Sequence, residues 1–252
     1  MDLELEGKRA IVTGGSRGIG KVIARTLTEE GVDVVIAART EETLNDAAAE
    51  LASETGKRVI PIAADTGDDA SVTRMVAEAR ERLGGVDILV NGATYPIESH
   101  GPASIADLDI TAMMADLNIK VAGYLRVAQA VAPGMVEEGW GRIINIGGKA
   151  AHMVAGYTAS IRCAAISPMT KNLADELGPK GVNCVAINPG LVRTEKSTPE
   201  REKLALDTNT INRLIEPIDI AWLVTVLASP NSVAMNGATV LADGGMPKEI
   251  RY

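Results

Sequence analysis

Three glycines stand where a chain would meet a phosphate. Gly14, Gly18 and Gly20 lie in the run Thr13-Gly14-Gly15-Ser16-Arg17-Gly18-Ile19-Gly20, directly after a β-branched stretch. Lacking a Cβ, they let the backbone turn sharply and approach a pyrophosphate closely. The helix expected next, with Val22, Ile23 and Leu27, supplies unpaired N–H groups and a positive dipole end. A second strand ends about 20 residues on, as a dinucleotide-binding unit requires. That strand end reads Ala37-Ala38-Arg39, with no carboxylate to bind a ribose 2′-OH. Arg39, with Arg17 from the loop, offers forked guanidinium geometry for a 2′-phosphate; the alternative is a solvated charge at a strand end. NADP(H) is therefore favoured over NAD(H). Glu41 and Glu42 suit the N-terminus of the following helix.

The elements that position this loop recur along the whole chain. Short β-branched runs fall at residues 9–13, 32–38, 58–64, 86–91, 142–147, 182–188 and 239–242. Helical patterns separate them. Val72, Met75, Val76, Ala79 and Leu83 share one helical face, and Met114, Leu117, Val121, Leu125, Ala128 and Ala132 share another. Strand–helix alternation of this kind implies right-handed crossovers. The expected fold is one α/β domain over residues 1–252, a doubly wound Rossmann-type unit. Its parallel seven-stranded sheet carries helices on both faces. Residues 195–214 break the rhythm, being polar, charged and poorly patterned. Ligands bind at the carboxyl ends of strands in such sheets, so this stretch is a candidate lid, or else a solvated surface helix.

Composition narrows the class. With 46% apolar residues, 25 glycines and no Phe, the core must be aliphatic, as in buried parallel sheets. A formal charge of −8 argues against a nucleic-acid surface. Cys163 and Cys184 lie outside any CxxC or Cys/His cluster and are expected as small buried side chains. No apolar run reaches membrane-spanning length, and the start Met1-Asp2-Leu3-Glu4 is unlike a signal peptide. A cytoplasmic chain with no membrane partner is expected.

In motif order the chain resembles the short-chain dehydrogenase/reductase family. The glycine run is followed by Ala64-Asp65-Thr66, Asn91-Gly92-Ala93, Asn118 in a long helix and Tyr157 opening another. Asn188-Pro189-Gly190-Leu191-Val192-Arg193-Thr194 and Asp243-Gly244-Gly245 complete the order. The resemblance implies that Gly14, Ser16, Arg17, Gly18, Ile19 and Gly20 wrap the phosphates. It implies that Asp65 and Thr66 meet the adenine, and Asn91, Gly92 and Ala93 the adenosine side. Pro189, Gly190, Val192 and Thr194 would hold the nicotinamide. It further implies hydride transfer to or from a small-molecule substrate, with Tyr157 exchanging the proton and Asn118 maintaining a water relay. Homodimers or homotetramers formed through the long helices are implied too; the alanine-rich stretch 122–132 fits that role or the core.

Two of the family's residues are absent. The lysine four residues after the tyrosine is Ile161, and the serine position after the fifth strand is Gly148. An unperturbed Tyr titrates near pH 10, so a base role near neutrality needs a neighbouring cation. Arg162 is adjacent, but one helical step turns a side chain by about 100°, so it is expected to point elsewhere. Lys149, after Gly148, is the candidate replacement. His152, His100 and Tyr95 lie on loops at the same expected edge, each a catalytic candidate or merely a lining side chain. Thr94 stands where the family usually has Gly, tightening the space. Three functions stay open: an NADP(H)-dependent oxidoreductase, favoured for carbonyl reduction; a lyase, dehydratase or isomerase on the same fold; and an inactive nucleotide-binding subunit.

Overall fold

The computed structural model describes residues 2–95, 104–195 and 197–246. Its strands are β1 (Arg9–Thr13), β2 (Asp33–Ala38), β3 (Val59–Ala63), β4 (Ile88–Asn91), β5 (Gly141–Ile146), β6 (Val182–Pro189) and β7 (Thr239–Ala242). They form one sheet in the order β3-β2-β1-β4-β5-β6-β7, every pairing parallel. The order reverses between β1 and β4, which opens a crevice at their carboxyl ends. All seven sequence-expected strands form, with ends shifted by at most two residues.

Both sheet faces are covered, which is why the strands read as near-continuous apolar runs. Ala10 and Val12 of β1 join the core layer of Ile23 and Leu27, whereas Ile11 joins the opposite layer with Met75 and Val76. The first layer belongs to α1 (Gly18–Glu29), α2 (Glu41–Thr55) and α9 (Pro217–Ala228). The second rests on α3 (Asp69–Leu83), α5 (Gly123–Glu137) and α7 (Ile166–Leu177). Cys163 and Cys184 are free and buried, as expected, and burial pushes the Cys184 thiol up to about 12.

One expected stripe is corrected. Met114 and Leu125 are 56% and 43% exposed rather than core. The chain passes from α4 (Ile110–Leu117) through a π-helical turn at Asn118–Ala122 into α5. The wider turn shifts the helical phase, so a single 3.6-residue repeat cannot run through both helices. After the turn the buried face is Tyr124, Val127, Ala128, Val131 and Met135. Most of the alanine-rich stretch therefore faces the core.

The irregular stretch 195–214 contains α8 (Pro199–Thr208). Ala205 is fully buried and packs with Leu191, Leu214 and Met246 in a small separate cluster. Arg193 ties this segment down through ion pairs with Glu202 on α8 and Glu216 before α9. Among the described residues no helix is long and apolar enough to cross a membrane.

Candidate active site

The glycine loop is assembled by contacts only glycine permits. A Cβ at Gly20 would lie 2.2 Å from the Gly14 carbonyl oxygen, one at Gly14 would lie 2.8 Å from that of Gly92, and one at Gly92 would lie 2.8 Å from that of Thr13. Thr13 Oγ1 accepts hydrogen bonds from the Gly92 and Ala93 amides at 3.1 and 3.3 Å, joining the loop floor to the end of β4. The Gly14 N–H donates to the Ala37 carbonyl at 2.8 Å, fixing the loop beside the end of β2.

Gly18 differs from its neighbours. A Cβ there would meet nothing within 4 Å, and its φ is +54°. Its N–H, in the first turn of α1, donates to Glu195 Oε1 at 3.3 Å. A carboxylate oxygen thus stands in for an anion at the positive end of α1. The space beside it, about 470 Å³, is bounded by Lys21, Arg25, Arg193, Thr194 and Glu216. The loop residues therefore fit a pyrophosphate: the tight glycines shape the backbone and the open one presents an amide to negative charge. Arg17 and Arg39 are both exposed, and neither guanidinium has a partner among the described residues.

The other cofactor candidates divide. Asp65 Oδ1 accepts from the Gly67 amide at 2.8 Å, and Thr66 is buried with its hydroxyl 3.4 Å from the Ile119 carbonyl. Pro189 ends β6, and Gly190 lies so close to β7's end that a Cβ would be 2.8 Å from Asp243 Cα. Val192 is buried and bridges to Ile215, while the Thr194 amide donates to Ser197 Oγ at 2.9 Å. Ser16 and Ile19 are half-buried along the loop. Asn91 stands apart: its fully buried side chain donates to Asn145 Oδ1 at 2.9 Å, tying β4 to β5 inside the sheet.

Tyr157 begins α6 (Tyr157–Ala164) and is 46% exposed. Its hydroxyl has no hydrogen-bond partner among the described residues. Ile161, one turn later, is 47% exposed and supplies no charge. Asn118 opens the π-turn with both ends of its amide committed: Nδ2 donates to the Gly67 carbonyl at 3.0 Å, and Oδ1 accepts from Arg126 Nη2 at 2.8 Å. These bonds tie the turn to Gly67 and Arg126, and no described hydrogen bond joins Asn118 to Tyr157. Lys149 is half-buried, with Nζ 3.5 Å from Met246 Sδ. Tyr95 is half-buried, whereas His100 lies outside the described residues.

Cys163 lies against Gly148, two residues after the end of β5. A Cβ on Gly148 would come within 3.0 Å of Cys163 Sγ, so the thiol crowds the space a larger side chain would use. The Gly148 amide donates to Asn188 Oδ1 at 3.1 Å, and Asn188 Nδ2 lies 3.0 Å from His152 Nε2. With the amide oxygen already accepting, Asn188 presents its NH₂ to the ring, which makes Nε2 the acceptor and holds the imidazole at the crevice edge.

Beneath this surface lies a buried charged cluster that pattern reading missed. Asp116 is fully buried and Arg162 nearly so, with Nη1 3.1 Å from each carboxylate oxygen and 3.3 Å from Thr94 Oγ1. Arg162 turns inward, toward the crevice floor. Lys120, in the π-turn, is buried and donates to the Gly147 carbonyl at 3.2 Å. Burial pulls its ammonium down to about 8. Its signal was a lone lysine within Ile119-Lys120-Val121-Ala122.

Residues 8–205 match the short chain dehydrogenase family. The oxidoreductase UcpA of Salmonella typhimurium is 35% identical, over 96% of this chain and 95% of its own. Among solved structures, L-sorbose reductase from Gluconobacter frateurii, complexed with NADPH and L-sorbose, superposes with a TM-score of 0.91 at 28% identity, covering 99% of this chain and all of that one. A 7α-hydroxysteroid dehydrogenase complexed with NADH and 7-oxo glycochenodeoxycholic acid gives 0.90 at 30% identity, over 99% and 98% of the two chains. Fold, crevice and these likenesses agree: the chain belongs to the short-chain dehydrogenase/reductase family of oxidoreductases.

Proposed function

We propose that this protein is an NADP(H)-dependent reductase of a small carbonyl compound, with Tyr157 as the proton donor. The observation that carries the cofactor assignment is the Gly18 amide. It faces a carboxylate oxygen across otherwise open space, in a loop whose other glycines are fixed by close packing. When bound, the nicotinamide supplies or takes up the hydride. Gly14 to Gly20 would hold the pyrophosphate, and Pro189, Gly190, Val192 and Thr194 would border the nicotinamide. Arg39 and Arg17 are exposed, without partners among the described residues, and suit a 2′-phosphate beside a strand end, Ala37-Ala38-Arg39, that carries no carboxylate.

The chain's part in the chemistry is to hold a carbonyl oxygen near Tyr157 and give it a proton. A neutral phenol is already in the donating form, so reduction needs no cation beside it. Oxidation needs a base, and Ile161, one turn along the helix, supplies no charge to support one. The asymmetry favours reduction. Neither Lys149 nor His152 contacts Tyr157 through a described hydrogen bond; both sit where a substrate would enter and serve it as positioning groups. Ile110, Met114 and Leu125 stay exposed on α4 and α5 and offer apolar surface for a homodimer or homotetramer.

The test follows NADPH absorbance with a panel of aldehydes, ketoses and cyclic ketones at pH 7. Saturable consumption with at least one carbonyl, slower with NADH, is expected. Tight cofactor binding without consumption across the panel would contradict the proposal.

A further inference from the structure

Tyr157 and Asn118 sit on different elements, and no described hydrogen bond joins them directly. An unbroken set of contacts nevertheless runs between their helices. Thr13 Oγ1 receives the Gly92 and Ala93 amides; Thr94, next along, meets Arg162; Arg162 meets Asp116; and Asp116 lies two residues before Asn118. The ion pair therefore joins α6, which begins at Tyr157, to the end of α4 and to the segment forming the glycine-loop floor. We propose that Arg162, oriented by Asp116, is the positioning residue of this site. It sets the helix carrying Tyr157 against the π-turn and the glycine loop, the alignment otherwise left to a site without its serine and lysine. The proposal rests on Tyr157 being the proton donor.

Three observations separate this from an ordinary structural ion pair. The pair is nearly dry, with side-chain exposures of 9% and 0%, and burying both charges is unfavourable unless their geometry is satisfied. It is not fully satisfied: Arg162 Nε is buried and has no hydrogen-bond partner among the described residues, a defect that selection for stability alone would avoid. The pair also sits near a second buried cation, Lys120, whose ammonium lies 5.5 Å from the centroid of the Tyr124 ring and is influenced by the charges of Arg162 and Asp116. An apolar contact would fill the same volume at less expense but with no preferred angle. A guanidinium shared between a carboxylate and a hydroxyl has one.

A double-mutant cycle tests this. Arg162→Met and Asp116→Leu each leave a buried group unpaired and should lower both Tm and kcat. Arg162→Lys keeps the charge without the fork and should recover part of kcat. The deciding variant is Arg162→Met with Asp116→Leu. Two apolar side chains of similar bulk should restore Tm to near the parent value. The kcat for carbonyl reduction should stay about 10-fold or more below the parent, a part of the roughly 10²–10⁴-fold that a well-placed general acid contributes. Affinity for NADPH should change less than threefold, which separates alignment of α6 from damage to the loop. Recovery of both Tm and kcat in the double variant would overturn the proposal, as would single variants whose folded fraction turns over at the parent rate. A parent inactive on every carbonyl would contradict the proposed function instead. The brace is then read from amide hydrogen exchange over Tyr157–Ala164 and Asn118–Ala122. Faster exchange in both segments on either single substitution supports it, and change confined to the substituted helix overturns it.

Discussion

The two halves of the crevice are built differently. The side formed by β1, β2 and β4 is backbone architecture: Gly14, Gly20 and Gly92 pack so closely that no side chain fits, and Gly18 presents an amide to an anion. The side formed by β5, α6 and the π-turn is side-chain architecture, with Gly148 crowded by Cys163 and Arg162 buried on Asp116. A backbone site tolerates little change at its packed positions, because Gly14, Gly20 and Gly92 each meet a carbonyl that cannot move. A side-chain site can be rebuilt by compensating pairs. In this chain the first half is fixed by glycines and the second by paired side chains.

Substitutions should expose the contrast. The largest effect is expected in the loop: Gly20→Ala places a methyl 2.2 Å from a backbone oxygen, so cofactor affinity should fall by two orders of magnitude or folding should fail. Fluorescence titration with NADPH and a thermal melt together distinguish these outcomes, and near-normal affinity would mean that the loop is less tightly built than its contacts show. Arg39→Asp comes next. It removes the forked partner of the 2′-phosphate and installs a carboxylate for the ribose, so the NADPH:NADH affinity ratio should invert, by about 10-fold or more in total. Equal affinities in the parent would remove the 2′-phosphate role.

The rebuilt half should respond to pairs rather than to single changes. Gly148→Ser alone forces the hydroxyl-bearing carbon against Cys163 and should destabilise by about 1–3 kcal/mol, the usual range for overpacking. Adding Cys163→Ala should recover most of that loss in urea unfolding. No recovery would place the strain elsewhere.

A smaller effect belongs to Lys120. Its folded-state pKa of about 8 lies below the ordinary lysine value of 10.5, so between those pH values the unfolded chain binds a proton that the folded one does not. Stability should therefore rise with pH across that window relative to a Lys120→Met variant, and the difference should be flat below about pH 8. Chemical unfolding at pH 7, 8.5 and 10 checks this. A difference independent of pH would show that the ammonium is well solvated.

How much could be read from the amino-acid sequence follows the same division. The seven strands were legible because burial on both faces makes each a β-branched run, and the glycine loop because the backbone geometry demands one residue type at fixed spacing. The stripe from Met114 to Ala132 failed because the π-turn adds a residue that no periodic template contains. Arg162 and Asp116 were illegible for a different reason. Their partnership joins residues 46 apart in the chain, across a contact that only the folded sheet creates. Lys120 looked like a break in an apolar run, and nothing local says that its stem is buried with its head on the Gly147 carbonyl.

The central claim is that Tyr157 delivers the proton with Gly148 and Ile161 at the positions where the family resemblance implies a serine and a lysine. The direct measurement is the rate of NADPH consumption by Tyr157→Phe, at saturating cofactor and with the parent's best carbonyl, beside its cofactor affinity. The phenyl ring preserves packing and removes only the hydroxyl. A rate about 100-fold or more below the parent, at nearly unchanged affinity, is the predicted result. Turnover within a few-fold of the parent would contradict it and move the proton transfer to Lys149 or His152.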